Sequence, residues 1–562
     1  MDCHPSSQSG TSNDKAIKDE LVAQIRSNVI GERSYISSPF GPRPLIYADY
    51  IASGRSLGLI EEAIEDTVLP VYGNTHTETS FTGRKITALR EEARHVIAEA
   101  VGADDRHMVI FTGAGATAAV DRLVRGTGIE EKARDGHNVV VFVGPYEHHS
   151  NDLPWRESGA KIEHIDLDDS GRIDLGQLAD RLEAHADASL KIGAFSAASN
   201  VTGVRSDLIG IATLLHANGA AFVCDFAAAA PYISMKLTLD DDQPGAHIDA
   251  IIYSSHKFVG GPGASGVLVA DKALFTSDRP GVTGGGTVSY VTAEHHTYVK
   301  NLERREEAGT PGIIGDIRAG AVMALKEAVG SSEIEDREGV IIKDVLRRLS
   351  AEPNVIILGP QDQERIGVVS FNISIDGQLL HYGFVVALLN DLFGIQARGG
   401  CSCAGPYAHA LLGIPEARAL QYEAAIQEGK SLLRPGWVRL GYNYFFDQET
   451  IDYITEAILF IGRNGLLFLE DYDVDVQQGV WQHKTKLTEA PATLRNFWQY
   501  NPSKSKAHCS DVKRYLVEAA KLAEDRHQPK LGQNEIFRSD LEALRNFWMP
   551  QDAIDSNYNN NN

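Results

Sequence analysis

Between Leu45 and about Ala328, short apolar runs alternate with longer stretches whose apolar residues recur every three or four positions. The short runs predict strands at His107–Thr112, Asn138–Val143, Lys191–Ser196, Ala220–Cys224, Asp249–Ser254 and Gly266–Ala270. The longer stretches predict amphipathic helices such as Arg84–Val101 and Ser206–Ala217. Strands that are apolar throughout belong in a sheet covered on both faces, and helices between them make that sheet mostly parallel. The fold class is therefore α/β. A second, smaller α/β unit is expected from about residue 330 to 469. Its strands are Ile366–Ile373, Gly394–Ala397 and Trp437–Tyr442, with helices at Leu379–Asp391 and about Gln448–Ile461.

The expected organisation has four parts: an N-terminal helical segment over 1–45 (amphipathic from Lys15 to Val29), a large domain over 46–329, a small domain over 330–469, and a C-terminal extension over 470–562. The extension repeats a pentapeptide, Leu494-Arg495-Asn496-Phe497-Trp498 and Leu544-Arg545-Asn546-Phe547-Trp548. Two copies are too few for a stacked solenoid. Ser539 and Glu542 have capping-box spacing, which predicts a short helix carrying the second copy. The terminal run Asn559–Asn562 is expected to lack fixed structure.

Composition narrows the function. With 43% apolar residues among 562, the chain can bury a large core, which excludes disordered and fibrous classes. A net charge of −23 without a basic stripe argues against a nucleic-acid partner. No apolar run has the length of a membrane span, and Met1–Pro5 lacks the start of a secretory signal. Five scattered cysteines make no disulfide framework. A cytoplasmic protein with reduced thiols is expected.

The candidate chemistry sits at strand ends. Ser254-Ser255-His256-Lys257 closes an apolar strand and runs into Gly260-Gly261-Pro262-Gly263. A lysine there can enter a desolvated turn, where an amine sheds its charge and forms a Schiff base. Asp225 follows another apolar strand, at the carboxyl edge where open α/β sheets bind ligands. A carboxylate there can keep a pyridine nitrogen protonated, so that the ring of pyridoxal phosphate (PLP) acts as an electron sink. Thr112-Gly113-Ala114-Gly115-Ala116-Thr117 turns from a strand into a helix, where backbone N–H groups and the Thr117 hydroxyl can cradle a phosphate. His148, in Tyr146-Glu147-His148-His149, offers an imidazole to a flat ring, and Asn200 can donate to a ring oxygen. Each has an ordinary alternative: a surface lysine, a helix-capping aspartate, a plain glycine turn. Their order and shared placement at strand ends set them apart.

From about Tyr47 to Ile461 the chain resembles the class V aminotransferase family of fold-type-I PLP enzymes, and within it the type II cysteine desulfurases and selenocysteine lyases. The likeness runs through Tyr47-Ala48-Asp49-Tyr50-Ile51-Ala52-Ser53, Asn74-Thr75-His76, Gly115-Ala116-Thr117, Glu147-His148-His149, Ser199-Asn200-Val201 and Asp225. It continues through Ser254-Ser255-His256-Lys257, Gly284-Gly285-Gly286 and Glu307-Ala308-Gly309-Thr310-Pro311. The resemblance implies PLP as cofactor. It assigns Lys257 as the Schiff-base lysine, Asp225 as partner of the ring nitrogen and His148 as the stacked imidazole and proton carrier. Ala116, Thr117, Ser254 and His256 would hold the phosphate, and Asn200 the ring oxygen. It also implies a homodimer whose sites are completed by the neighbour, with Gly284–Gly286 as that contribution.

Reaction type is carried by Gly394-Ile395-Gln396-Ala397-Arg398-Gly399-Gly400-Cys401-Ser402-Cys403-Ala404-Gly405-Pro406. An arginine behind a strand can clamp an α-carboxylate bidentately, while a thiol five residues later rides on a Gly-rich loop. In register with type II desulfurases, the resemblance assigns Arg398 as the carboxylate clamp and Cys403 as the sulfur-accepting nucleophile. It implies a small amino-acid substrate, an enzyme persulfide and a protein sulfur acceptor. The Cys-x-Cys form also resembles the amino-terminal domain of molybdenum cofactor sulfurases. One Cys-x-Cys without a second pair is a poor zinc site, so no metal is expected. Arg439, in Trp437-Val438-Arg439-Leu440, matches a further small-domain arginine that approaches substrate.

Three departures from the family pattern stand out. Ala228 replaces a glutamine three residues after Asp225, Gly399 replaces a hydroxyl residue, and Cys401 stands where type II enzymes carry histidine. The chain is also longer than a desulfurase by about ninety residues. The residues leave open an epimerase, a lyase or another aminotransferase of the same family, and a non-enzymatic scaffold that keeps the fold.

Overall fold

The computed structural model describes residues 8–75, 77–487, 494–499, 508–532 and 534–554. Met1–Pro5, His76 and Asn559–Asn562, singled out above, lie outside them. The chain divides into two compact units: Met1–Ile30 with Tyr50–Gly339 and Asp362–Ile366, and Gly31–Asp49 with Val340–Gln361 and Gly367–Asn562.

The first unit is built on a seven-stranded sheet. Its strands are β1 (His107–Gly113), β2 (Val139–Val143), β3 (Lys161–His164), β4 (Leu190–Ser196), β5 (Ala221–Asp225), β6 (Ala250–Ser254) and β7 (Gly266–Asp271). They lie in the order β1-β7-β6-β5-β4-β2-β3. Strands β2 to β6 pair in parallel, and β7 runs antiparallel to both β6 and β1. The carboxyl ends of β1, β2, β4, β5 and β6 therefore share one edge, the edge that carries the candidate residues. The six expected strands are present within two residues at each end. Strand β3 escapes a hydrophobicity reading because Lys161-Ile162-Glu163-His164 is a half-exposed edge strand without an apolar run.

Helices α1 (Gln8–Ser27), α2 (Phe81–Val101), α3 (Gly115–Gly126), α4 (Leu208–Ala217) and α5 (Ile313–Val329) belong to this unit. Ser80 caps α2 by accepting from Gly83 N (3.2 Å), and Gly102 ends it at φ 71°. Gly320 on α5 lets the two backbones meet, since a Cβ there would lie 2.5 Å from Ala93 Cα. A buried ion network spans the same contact. Arg90 Nε meets Asp316 (2.7 Å), Arg90 Nη2 meets Glu307 (2.6 Å), and Arg94 Nη2 meets Glu307 (3.0 Å). Glu307 also accepts from Phe111 N (2.8 Å), so it fixes β1 just before the Gly113–Gly115 turn. The two guanidiniums hold its carboxyl below the usual range against the opposing effect of burial.

The second unit holds a six-stranded sheet. Its strands are β8 (Val355–Ile357), β9 (Val368–Ile375), β10 (Gln378–Leu380), β11 (Arg398–Gly400), β12 (Trp437–Gly441) and β13 (Phe547–Trp548). The order is β11-β12-β9-β10-β13, with β8 also on β9; only the β10–β13 pair is parallel. Helices α6 (Tyr382–Phe393), α7 (Gln448–Asn464) and α8 (Lys513–Glu524) share its core, which includes Phe384, Leu388, Ile454, Ile458 and Tyr515. The expected helix Leu379–Asp391 starts later because Gln378–Leu380 is a strand. His381 Nδ1 then caps α6 by accepting from Gly383 N (3.0 Å).

The pentapeptide copies have opposite fates. Leu544, Phe547 and Trp548 are buried in the second unit's core, and Trp548 Nε1 donates to Ile375 O (2.9 Å). Leu494, Phe497 and Trp498 are 78%, 65% and 79% exposed on a 3₁₀ turn. The expected helix under the second copy is corrected by the structure. The helix spans only Ser539–Glu542 and ends before it, and the copy continues into β13. Ser539 lies inside the helix rather than capping it, and Glu542 instead accepts from Ile536 N (3.2 Å) and Phe537 N (3.0 Å).

Candidate active site

In the first unit, β1 delivers the chain into Gly113 and Gly115, both in the left-handed region (φ 79° and 64°). That turn opens α3 without a side-chain cap, leaving N–H groups and the positive end of the helix dipole for an anion. Ser254, at the end of β6, accepts from Ala116 N (2.8 Å). A Cβ at Gly115 would lie 3.1 Å from Ser254 Oγ and 3.7 Å from His256 Nε2. Ala116, Ser254 and His256 thus converge on one small space.

Thr117 joins them through a residue the sequence did not single out. Its Oγ1 lies 2.6 Å from Ser150 Oγ, which lies 3.0 Å from His148 Nδ1. Ser150 N also donates to that nitrogen (3.1 Å), so a neutral His148 carries its proton on Nε2. The turn expected to take the phosphate and the imidazole expected to stack on the ring are therefore held in one polar chain.

Asp225 ends β5 and is 4% exposed. Its Oδ1 accepts from Ala227 N (2.7 Å). Burial pushes its carboxyl up, opposed by the Ala227 N–H and by the charge of Lys257, so the two side chains act on one another. Lys257 leaves β6 on a 3₁₀ turn, Ser255–Lys257, and is half-buried. Gly54 makes room for this turn: its N donates to His256 O (2.9 Å), and a Cβ there would strike Phe258 O. Asn200 is buried in the turn after β4, where Ser199 Oγ accepts from Val201 N (3.1 Å) and Thr202 N (3.2 Å).

These residues fit PLP. The uncapped start of α3 could take a phosphate, and a buried carboxylate, whose charge burial disfavours, would be relieved by a protonated ring nitrogen. A lysine amine sits within electrostatic reach of that carboxylate. Ala228 is buried and offers the ring oxygen no donor.

Below His148 lies a second buried carboxyl. Glu147 accepts from Ser196 N (2.8 Å) and Asn151 Nδ2 (2.7 Å), and its Oε2 lies 2.5 Å from Ser196 Oγ. Burial, despite those bonds and aided by the charge of Asp225, pushes it up to about 8. Burial thus favours its neutral form, and its bonds tie the segment after β2 to the end of β4.

In the second unit, Ile46–Tyr47 pairs in parallel with Ile395–Gln396 and brings Asp49 to β11 and β12. Arg398 Nε lies 3.0 Å from Asp49 Oδ2, and Arg439 Nη2 lies 3.3 Å from Oδ1. Arg398 is 55% exposed and Arg439 only 4%. Burial pulls Arg439 down, opposed by Asp49, and Arg439 also feels the charge of Cys403. Cys403 is exposed and Cys401 half-buried, and neither is bonded to another cysteine. Cys401 instead contributes to raising the Tyr382 phenol, after burial. Of the expected trio, Arg398 and Arg439 are thus brought together on Asp49, and Cys403 acts electrostatically on Arg439. Asp49, quoted above only as part of a motif, organises the pair; a lone aspartate in an extended segment gives no sequence signal for that role.

The profile of the aminotransferase class-V family matches residues 46–452. The chain belongs to that family, with its fold-type-I architecture. It is 31% identical over 397 residues to a probable cysteine desulfurase of Halalkalibacterium halodurans, covering 70% of this chain and 92% of that one. It is 28% identical over 398 residues to a cysteine desulfurase of Cronobacter sakazakii, covering 70% and 91%. Among solved structures, apo cysteine desulfurase from Thermococcus onnurineus superposes with a TM-score of 0.61 at 26% identity, covering 74% of this chain and 94% of that one. Among the described residues, no helix is long and apolar enough to cross a membrane.

Proposed function

We propose that this chain is a PLP-dependent, cysteine desulfurase-like enzyme that takes sulfur from L-cysteine, or selenium from selenocysteine, and releases alanine. The observation that carries the sulfur chemistry is an exposed thiol, Cys403, within electrostatic reach of Arg439, which shares Asp49 with Arg398. Family membership and the named relatives support the same reading.

Lys257 would hold the cofactor covalently. Ala116, Thr117, Ser254 and His256 would bind its phosphate, Asp225 its ring nitrogen, Asn200 its ring oxygen, and His148 its ring face. When bound, PLP supplies an electron sink for negative charge at the substrate Cα. Lys257 moves the proton at Cα, with His148 Nε2 as a second carrier. Arg398 and Arg439 clamp the α-carboxylate. The Cys403 thiolate attacks the substrate sulfur. A sulfur–sulfur bond forms, the carbon–sulfur bond breaks, and the carbon takes a proton to become the methyl of alanine. Cys403 is left as a persulfide, which passes its sulfur to a protein acceptor.

A homodimer fits this reading, with Gly284–Gly286 contributing to the neighbour's site. In support, the adjoining hairpin (Val288–Val291 with His296–Tyr298) exposes Tyr290 at 71% and Val291 at 59%. The boundaries expected from the sequence, with an enzyme body over 46–469 and an extension after it, are part of the same proposal, as is a cytoplasmic location. A second reading keeps PLP but another class V reaction (an epimerase, lyase or aminotransferase); the buried Ala228 in place of glutamine favours it. A panel of amino acids decides. Alanine formed from L-cysteine and lost in Cys403→Ser supports the desulfurase. Turnover of sulfur-free amino acids, or an unimpaired Cys403→Ser, supports the second.

A further inference from the structure

We infer that Cys401 is a resolving thiol for Cys403, so that the enzyme can discharge its own persulfide as sulfide and pause as a Cys401–Cys403 disulfide until a thiol reductant reopens it. This rests on the reading of Cys403 as sulfur acceptor, and adds a release route that needs no protein acceptor.

The loop geometry supplies the approach. Gly400, Ser402 and Cys403 all have positive φ (122°, 56° and 56°), and the last two are not glycines. Two successive residues held left-handed cost about 1 kcal/mol or more each and cluster at functional sites. They also coil the chain. A coiled step keeps Cα atoms two residues apart within about 5–6 Å, the separation a disulfide spans, whereas an extended step lies near its upper limit. The loop is anchored on both sides. Gly400 pairs with Trp437 at the end of β11, and Ala404 N donates to Cys401 O (3.2 Å) just before the helix Gly405–Leu411. Closing a 401–403 bond therefore asks for movement of three residues and leaves the sheet and the helix alone.

The two thiols are also differentiated. Cys403 is exposed beside Arg439, positioned to meet an incoming substrate sulfur. Cys401 is half-buried within electrostatic reach of Tyr382, whose phenol also feels Arg434, and lies two residues from the loaded sulfur. An attacking thiol and a half-buried partner two residues away match the pairing of a reactive cysteine with a resolving one.

The step balances without any outside oxidant. The Cys401 thiolate attacks Sγ of the Cys403 persulfide, forming the Sγ–Sγ bond. The bond from Cys403 Sγ to the outer sulfur breaks, and that sulfur leaves with the electron pair as hydrosulfide. The outer sulfur is reduced, the Cys401 sulfur is oxidised, and Cys403 Sγ, already oxidised in the persulfide, keeps its oxidation level in the disulfide. A dithiol reductant then restores both thiols. Sulfide output becomes dependent on reductant, and a protein acceptor competes with Cys401 for the same sulfur.

The test is a single turnover of the PLP-loaded full-length protein, with no more than one equivalent of L-cysteine per site and no added thiol. Alanine, sulfide and intact protein mass are measured for wild type, Cys401→Ser, Cys401→Ala and Cys403→Ser. The expected wild type releases sulfide one-for-one with alanine and ends lighter by two hydrogens, with a 401–403 disulfide peptide. The expected Cys401 variants end heavier by one sulfur on Cys403, and their sulfide-to-alanine ratio falls at least tenfold. A wild type that keeps the extra sulfur, or Cys401 variants that release sulfide like wild type, overturns the resolving role and leaves Cys403 as acceptor. Undiminished alanine from Cys403→Ser, or no alanine from any form, overturns the acceptor reading and the resolving role with it.

Discussion

Arg398 and Arg439 stand in register across strands β11 and β12, two guanidiniums side by side that share the carboxylate of Asp49. Like charges directly opposite on a sheet repel, so the arrangement depends on the bridging anion. It also leaves the exposed Arg398 available to a second carboxylate, that of an amino-acid substrate.

The two arginines should separate in their effects. Arg439 is buried, and removing its anion with Asp49→Ala costs about 3 kcal/mol or more, read as a lowered urea midpoint. Arg398 is more than half exposed, so Arg398→Ala shifts stability by less than about 0.5 kcal/mol but raises KM for L-cysteine at least tenfold. Equal stability loss from Asp49→Ala and Arg398→Ala would contradict the assignment.

Ser254→Ala removes the oxygen that fixes Ala116 N at the mouth of the phosphate turn. Loss of a bond of this kind costs about 1–2 kcal/mol, which is roughly a fivefold to thirtyfold weaker PLP affinity. Titration of apoenzyme with PLP, followed by visible absorbance, measures it. An unchanged affinity would remove Ser254 from the phosphate site.

Glu147 gives a pH signature. Its carboxyl is raised from 4.5 to about 8 in the folded protein, so the folded state holds a proton that the unfolded chain releases earlier. Its contribution to stability is complete below pH 4.5, declines as pH rises, and is gone above about 8. Glu147→Gln cannot ionise. The stability of wild type relative to this variant should therefore fall across that window, with the variant less stable at the acid end because one amide oxygen cannot replace the two that accept from Asn151 and Ser196 N. Denaturant midpoints from pH 4.5 to 8.5 test it, and a constant difference would show that Glu147 is ionised throughout.

The large sheet and the strand-end residues were legible in the sequence because they rest on local signals. Continuous apolar runs mark β2, β5 and β6, and glycines mark the turn into α3. The roles of Asp49, Ser150 and Glu147 were not legible, because each acts through a partner distant in the chain: Asp49 through residues 398 and 439, Ser150 through Thr117, Glu147 through Ser196. The extension shows the same limit. Leu544–Trp548 and Leu494–Trp498 are identical in sequence, yet the former is a buried strand and the latter an exposed turn, because only the former meets a free strand edge at β10.

Under the proposed function, Lys257 carries the cofactor, and every other role depends on it. Borohydride reduction of the purified, PLP-supplied protein, followed by peptide mass mapping, tests this directly. The expected result is a visible chromophore lost on reduction and the mass of reduced pyridoxal phosphate on the peptide containing Lys257. Lys257→Ala should then carry no label and lose alanine formation by about a thousandfold. An unlabelled Lys257 in a colourless protein, or undiminished turnover by Lys257→Ala, would contradict it.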